Sequence, residues 1–103
     1  MRTLPGFLVL SLLFCIGSQA DAKCVKDKLI AKSILGDSIQ TDNGNDLTIF
    51  SGSPLIVTWQ VNDRLLLCNA QNPYPTLYPQ YTDVYKVIDL DRQNNNVALG
   101  NLN

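Results

Sequence analysis

The sequence predicts an all-β protein: one small antiparallel barrel or rolled sheet of about six or seven short strands, held by one disulfide. Short apolar runs alternate with polar residues at a period of two, and turn residues separate them. Neither a repeat, a heptad pattern nor a linker interrupts this arrangement. Two cysteines remain after a predicted export signal, which is typical of a small stapled domain.

Residues 1–22 have the pattern of a secretory signal peptide. Arg2 is a short positive region, Leu4 to Ile16 is almost wholly apolar, and small or polar residues follow. Cleavage after Ala20 or after Ala22 satisfies the small-residue rule, and the first is slightly favoured because Lys23 directly after the site would hinder export. Residues 23–103 are predicted to form a single β domain. The apolar run is shorter than the roughly 20 residues that cross a bilayer as a helix. We therefore expect an exported protein, periplasmic or secreted, without a transmembrane anchor after processing.

The cysteines of the mature chain predict one disulfide between Cys24 and Cys68. Cys15 is removed with the signal peptide, so no other pairing is available. A domain of this size buries a core with a narrow margin of stability. A crosslink that closes so long a loop stabilises it by roughly 4 kcal/mol on the chain-entropy model.

Residues 24–35 are compatible with two structures. Val25, Leu29 and Ile30 fit helical spacing, and Gly36 would end a helix well. The same segment also alternates as a strand does, and a disulfide from Cys24 would lay it beside the sheet. Strand is the favoured prediction.

The next two strands are predicted from a turn. Residues 38–41 and 45–50 flank Asn43-Gly44, the dipeptide that most strongly indicates a β-hairpin. Residues 51–54 then form a turn with Gly52 and Pro54.

A second hairpin is predicted from Leu55 to Cys68, with Asn62-Asp63 as its two-residue turn. Counting back from that turn places three pairs on one face, which should be the core: Val61 with Arg64, Trp59 with Leu66, and Val57 with Cys68. Leu65 and Leu67 then lie on the opposite face and need a cover.

Residues 69–82 are predicted to form a long loop that contains Pro73, Pro75 and Pro79 with Tyr74, Tyr78 and Tyr81. Proline at this frequency excludes a helix or a central strand. Loops of this length in compact domains are usually functional or disordered. Two roles are open for the tyrosines: they bind a partner together with Leu65 and Leu67, or they cover those leucines. Two last strands, 84–90 and 97–102, flank the polar turn 91–95.

The residue types limit the chemistry. The chain contains neither histidine nor glutamate, so its nine acidic residues are all Asp. Histidine-based catalysis and histidine metal sites are thereby excluded. Asp42, Asp46, Asp63, Asp89 and Asp91 lie at predicted turns, where Asp commonly bonds the local backbone. The Asp89-to-Asn95 spacing imitates a calcium loop, but Asn94 replaces its glycine and Gly100 its glutamate. We predict no catalytic residue, no metal and no cofactor.

Charge is nearly balanced, with a net charge of -1, so no nucleic-acid partner is implied. The lysines Lys23, Lys26, Lys28 and Lys32 are bunched at the mature N-terminus. Such a group is usually a solvated face.

Several patterns together resemble small exported bacterial domains of unknown function with SH3-like barrels. They are an apolar strand, an Asn-Gly turn, a strand leading to Trp59, an Asn-Asp step into a strand ending in Cys68, and the late strand Val87 to Asp91. The likeness covers most of residues 33–102 and departs at the Pro/Tyr loop. It implies strand rather than helix for residues 24–35, and it carries no catalytic residues.

These observations predict a non-enzymatic exported binding module whose partner is a protein or envelope component. A structural or accessory envelope domain without a specific ligand is the alternative, and an enzyme that uses Asp alone is the third. The sequence leaves the partner's identity and the oligomeric state open.

Overall fold

The structure is a computed structural model that describes residues 23–92 and 96–103. These residues form six strands and one short helix, and each strand pairs antiparallel with two neighbours. The order around the closed barrel is β1-β2-β3-β6-β5-β4, with β1 and β4 completing the ring. The elements are β1 Cys24–Lys32, β2 Ser38–Thr41, β3 Asp46–Ser51, α1 Ser53–Val57, β4 Arg64–Ala70, β5 Val84–Asp89 and β6 Val97–Leu102. The predicted all-β barrel is confirmed, and in general it fits an SH3-like fold.

The predicted signal peptide lies outside the described residues. Within residues 23–92 and 96–103, the structure has no helix that is long and apolar enough to span a bilayer.

β1 settles the alternative for residues 24–35, because Cys24–Lys32 is a strand paired with both β2 and β4. Cys24 lies directly opposite Cys68 in the pairing of β1 with β4, and a disulfide joins the two. The predicted pairing is confirmed. The disulfide fastens the beginning of β1 to the strand that closes the barrel.

The hairpin formed by β2 and β3 also follows the prediction. Gly44 adopts a positive φ of 87°, which costs glycine little, and Ile39 pairs with Leu47. Both side chains point into the barrel and are buried.

The prediction of a strand at the start of the second hairpin is wrong. Residues 53–57 form the helix α1, and turns lead from it to β4. The chain reverses at Gly52, whose φ is 88°. Pro54 follows in the first turn, where its fixed φ suits a helix and its missing N–H costs nothing. Backbone N–H groups of Leu55 and Ile56 both donate to the carbonyl of Gly52.

Helical spacing explains which apolar residues of this segment are buried. Ile56 and Trp59 lie three residues apart and both enter the core, whereas Val57 and Val61 are exposed. Burial of Trp59 was expected. The predicted pairing of Val57, Trp59 and Val61 with β4 does not form, because the partners of β4 are β1 and β5.

The faces of β4 are also the reverse of the prediction. Leu65 and Leu67 point into the barrel and are buried, while Leu66 is half-buried on the outside. The interior of a closed barrel accommodates one face of every strand, so these leucines need no separate cover. The core consists of Leu29, Ile39, Leu47, Ile49, Ile56, Trp59, Leu65, Leu67, Val87 and Ala98.

β5 and β6 confirm the two last predicted strands. β5 pairs with β4 and β6, and β6 pairs with β3 and β5. Every described strand is therefore paired with a neighbouring strand on both of its edges.

Candidate functional site

The best candidate for a functional site lies outside the barrel, where residues 71–83, between β4 and β5, contact Phe50 of β3. Within β3, Leu47 and Ile49 point inward, so the alternation of a strand places the ring of Phe50 on the outer surface. Three tyrosines of residues 71–83 contact the ring of Phe50 or one another. We call Phe50, Tyr74, Leu77, Tyr78 and Tyr81 the aromatic surface.

The rings of the aromatic surface form a connected cluster. Tyr81 stacks on Phe50 with ring centroids 4.8 Å apart, and the ring of Tyr78 lies 5.7 Å from Phe50. Tyr78 lies 5.4 Å from Tyr81, and Tyr74 meets Tyr78 edge-on at 6.3 Å. Aromatic pairs at these separations contribute about 0.5–1.5 kcal/mol each beyond simple burial. The cluster therefore fixes the segment against β3.

Asn72 orders the backbone of the segment from within. Its side-chain amide donates to the carbonyl oxygens of Tyr78 at 2.6 Å and Tyr81 at 3.1 Å, and its Oδ1 accepts from the N–H of Tyr74 at 2.8 Å. Backbone turns add bonds from the N–H groups of Leu77 and Tyr78 to the carbonyl of Tyr74. These hydrogen bonds give the backbone of the Pro/Tyr segment a defined path.

The end of the segment is fastened to the last strand. The N–H of Asp83 donates to Oδ1 of Asn101 at 2.9 Å, and the N–H of Leu102 donates to the carbonyl of Asp83 at 2.9 Å. β6 therefore holds the segment where it enters β5.

Exposure divides the aromatic surface into two parts. Tyr78 and Tyr81 are half-buried on Phe50, whereas Tyr74 is 45% exposed and Leu77 is 68% exposed. The tyrosines do cover an apolar side chain, but that side chain is Phe50 rather than Leu65 or Leu67. Because Leu65 and Leu67 are buried in the core, they offer no surface to a partner, and that part of the predicted site is wrong.

A second cluster lies at the end of β5 and contains charged groups. Asp63, just before β4, accepts hydrogen bonds from Arg92 at 2.9 and 3.1 Å and from the N–H of Gln60 at 3.0 Å. Asp91 accepts three bonds from Arg64, two from its guanidinium and one from its N–H. Asp89 is fully buried between them.

The pKa values of the two buried carboxyl groups, Asp63 and Asp89, are shifted in opposite directions. Burial alone would raise the pKa of Asp63. The hydrogen bonds from Arg92, Asp89 and the N–H of Gln60, with the positive charge of Arg92, together outweigh burial and lower that pKa to about 2. Burial raises the pKa of Asp89 to about 7, and the neighbouring Asp63 adds to that effect.

Oxygen atoms from Asp63, Asp89 and Asp91 all lie within 4.8 Å of one another, a distance that a cation could bridge. Both oxygens of Asp63 and of Asp91 already accept hydrogen bonds from arginine or backbone N–H groups. A divalent cation prefers free carboxylate oxygens and water, so this arrangement does not suit one. We assign no metal ligands.

A cavity opens at the end of the barrel near the disulfide. Its volume is about 110 Å³, well below the roughly 300–1,000 Å³ of usual small-molecule pockets. It is lined by Val25, Asn45, Leu47, Leu67, Tyr85 and Leu102.

Comparison with known proteins does not add to these observations: no family model, no curated protein and no solved structure matches the chain.

The structure brings together Tyr74, Tyr78 and Tyr81, and adds three residues that sequence analysis did not single out: Phe50, Asn72 and Leu77. Alternation in β3 already placed Phe50 opposite Leu47 and Ile49, so its outward position had a signal. The role of Asn72 had none, because an amide that bonds two carbonyls depends on the folded path of the segment.

Proposed function

We propose that this protein is a non-enzymatic exported binding module that uses the aromatic surface to contact a protein or envelope component. Exposure of Tyr74 and Leu77 on an internally bonded segment carries the proposal. Tyrosine offers a large contact area with a polar tip, and order in the free protein reduces the entropy lost on binding.

The export half of the proposal is supported by two features. Residues 1–22 have the pattern of a signal peptide, and the disulfide between Cys24 and Cys68 is of a kind that persists in oxidising compartments. A mature protein of the expected mass that gains 2 Da on reduction would support both features. Free thiols in the purified exported protein would contradict the second.

The binding half is tested by a paired comparison. Tyr74→Ser with Leu77→Ser removes the exposed part of the aromatic surface and leaves Tyr78 and Tyr81 on Phe50. The matched control is Ile34→Ser, which changes an exposed apolar residue in the turn between β1 and β2. Envelope crosslinking should yield a partner with the wild type and the control, and the partner's affinity should fall at least tenfold with the double variant.

Melting temperatures distinguish a segment that binds a partner from one that only covers the barrel. Both changes alter exposed side chains, so the double variant should melt within a few degrees of the wild type. Unchanged partner binding by the double variant would contradict the proposal.

The second candidate is a structural or accessory envelope domain in which the segment only covers the barrel. Stacking of Tyr81 on Phe50 favours it, because that pair buries apolar surface without any ligand. Large loss of stability in Tyr81→Ser, with no partner captured by the wild type, would favour this candidate.

A further inference from the structure

One oxygen atom of the buried Asp89 carboxyl group receives no hydrogen bond from the described residues. Its Oδ1 accepts from the N–H of Asp91 at 2.8 Å, while its Oδ2 has no hydrogen-bond partner among the described residues. The side chain is 0% exposed, so bulk water does not reach it. Unsatisfied buried polar atoms are rare in folded proteins and indicate a missing partner.

The charges around Asp89 do not balance. Asp63 and Asp91 contribute two further carboxylates, and Arg92 and Arg64 are the guanidinium groups that pair with them. Nε of Arg92 lies 2.9 Å from Asp63 but 3.9 Å from Oδ2 of Asp89, so it serves Asp63 first. Three ionised carboxylates against two cations would leave one buried negative charge.

Among the residues that the structure describes, the other elements packed against Asp89 supply no further cation. Leu65 is its partner on β4, and on the β6 side the amide of Asn96 donates to its backbone carbonyl. On β1, Lys28 lies opposite Arg64 and is exposed.

We propose that Asp89 carries a proton on Oδ2 in mildly acidic solution and donates it to Asp63, so that the two carboxyl groups share one proton. This proton supplies the missing donor and removes the uncompensated charge. It also fastens the segment Trp59–Asp63 to the end of β5.

The segment held in this way closes one end of the core. The N–H of Leu29 donates to the carbonyl of Asp63, and the N–H of Asn62 donates to the carbonyl of Leu29, so Asp63 also ties the segment to β1. Trp59 enters the core at the start of the same segment. Loss of the shared proton would place two buried carboxylates beside one another and loosen this attachment.

The direction of the pH effect follows from linkage. Asp89 has a pKa near 7 in the fold and 3.8 as its ordinary value, so the folded state keeps a proton that the unfolded chain releases between those values. The stability from this group is complete below about pH 4 and is lost as the pH rises towards 7. Asp63, with its lowered pKa, acts oppositely and loses its contribution as the pH falls from about 4 to 2.

Unfolding measured against pH tests the proposal with Asp89→Asn, which retains a donor for Asp63 but cannot ionise. Between pH 5 and pH 7 the folding equilibrium constant of the wild type, relative to that of this variant, should fall about tenfold per pH unit. The control is Asp42→Asn, an exposed aspartate of the turn between β2 and β3. Its pH profile should match the wild type.

Trp59 is the only tryptophan, so its fluorescence reports on the attached segment directly. Emission of the folded wild type should shift to longer wavelength as the pH rises through 7, and Asp89→Asn should show no shift. Should Asp89→Asn fail to fold, carbon NMR of the wild-type carboxyl groups gives the answer: a titration midpoint for Asp89 near 7 supports the shared proton.

Three outcomes would overturn the proposal. They are an Asp89 midpoint near 4, parallel pH profiles for the wild type and Asp89→Asn, and stabilisation of the wild type by calcium or magnesium chloride that EDTA reverses and Asp89→Asn abolishes. The last result would show that the missing partner is a divalent cation.

Discussion

Two long connections in this barrel behave in opposite ways. Residues 52–63, between β3 and β4, send Ile56 and Trp59 into the core, where Trp59 is 2% exposed. Residues 71–83, between β4 and β5, remain outside and place Tyr78 and Tyr81 on Phe50. The first connection completes the core, whereas the second covers one ring and leaves Tyr74 and Leu77 free for contacts.

The two connections also differ in what fastens them. Lys32 of β1 donates from its ammonium group to the carbonyls of Ile56, Val57 and Trp59, which lie at and beyond the end of α1. Such carbonyls lack partners within a helix. Asn72 plays the corresponding part in the outer segment, but from within that segment. The inner connection is thus fastened by a charged side chain of the barrel, whereas the outer one is ordered by its own Asn72 and by ring contacts with Phe50.

The largest expected effect tests the inner connection. Trp59→Ala removes a buried aromatic side chain from the core and should destabilise the fold by about 3–5 kcal/mol in denaturant unfolding. Tyr74→Ala, at an exposed aromatic position, is the control and should cost about 0.5–1.5 kcal/mol, the contribution of its edge-on contact with Tyr78. Equal losses from the two changes would erase the distinction between inner and outer connections.

A smaller effect is expected at the fastening lysine. Lys32→Met keeps most of the side-chain length but removes the ammonium donor, which leaves three carbonyls with one partner fewer. We expect a loss of about 1–3 kcal/mol in unfolding free energy. The control is Lys26→Met at an exposed position of the same strand. A neutral result for Lys32→Met would show that water replaces the ammonium group without cost.

The smallest global effect is expected at Asn72. Asn72→Ala removes both bonds to the carbonyls of Tyr78 and Tyr81, so hydrogen exchange of the Tyr78 N–H should accelerate by about tenfold, which corresponds to about 1–2 kcal/mol of local stability. Exchange of core amides in β4 should change little. Acceleration of exchange throughout β4 would instead show that the outer segment supports the whole barrel.

Sequence analysis was most successful where local rules decide the structure. Period-two alternation and the Asn43-Gly44 turn identified the hairpin of β2 and β3, and the two remaining cysteines allowed one disulfide. It was wrong at residues 55–61, where the alternation of Leu55, Val57, Trp59 and Val61 imitates a strand. The spacing of Ile56 and Trp59 fits a helical turn equally well, and the positive φ of Gly52 with Pro54 decides between them.

The two clusters could be predicted only in part. Tyrosines gathered between prolines were visible in the sequence, but their partner Phe50 comes from a distant strand. Asp63 and Asp89 were predicted to be turn residues that bond nearby backbone, and Arg92 was not singled out. Their meeting depends on α1 carrying the chain across the end of the barrel, and therefore on the element that the alternation concealed. Lys32, expected on a solvated face, was hidden in the same way.

The position of β6 in the ring has a consequence for folding. β6 pairs with β3 on one side and with β5 on the other, so the ring cannot be completed before residues 97–102 are available. Pairings between strands far apart in sequence form slowly, because a long loop must close before any contact rewards it. During synthesis, pairings between strands that are neighbours along the chain, such as β1 with β2 and β2 with β3, can form before the ring closes. We therefore expect the chain to fold as a whole, late, in a single cooperative step.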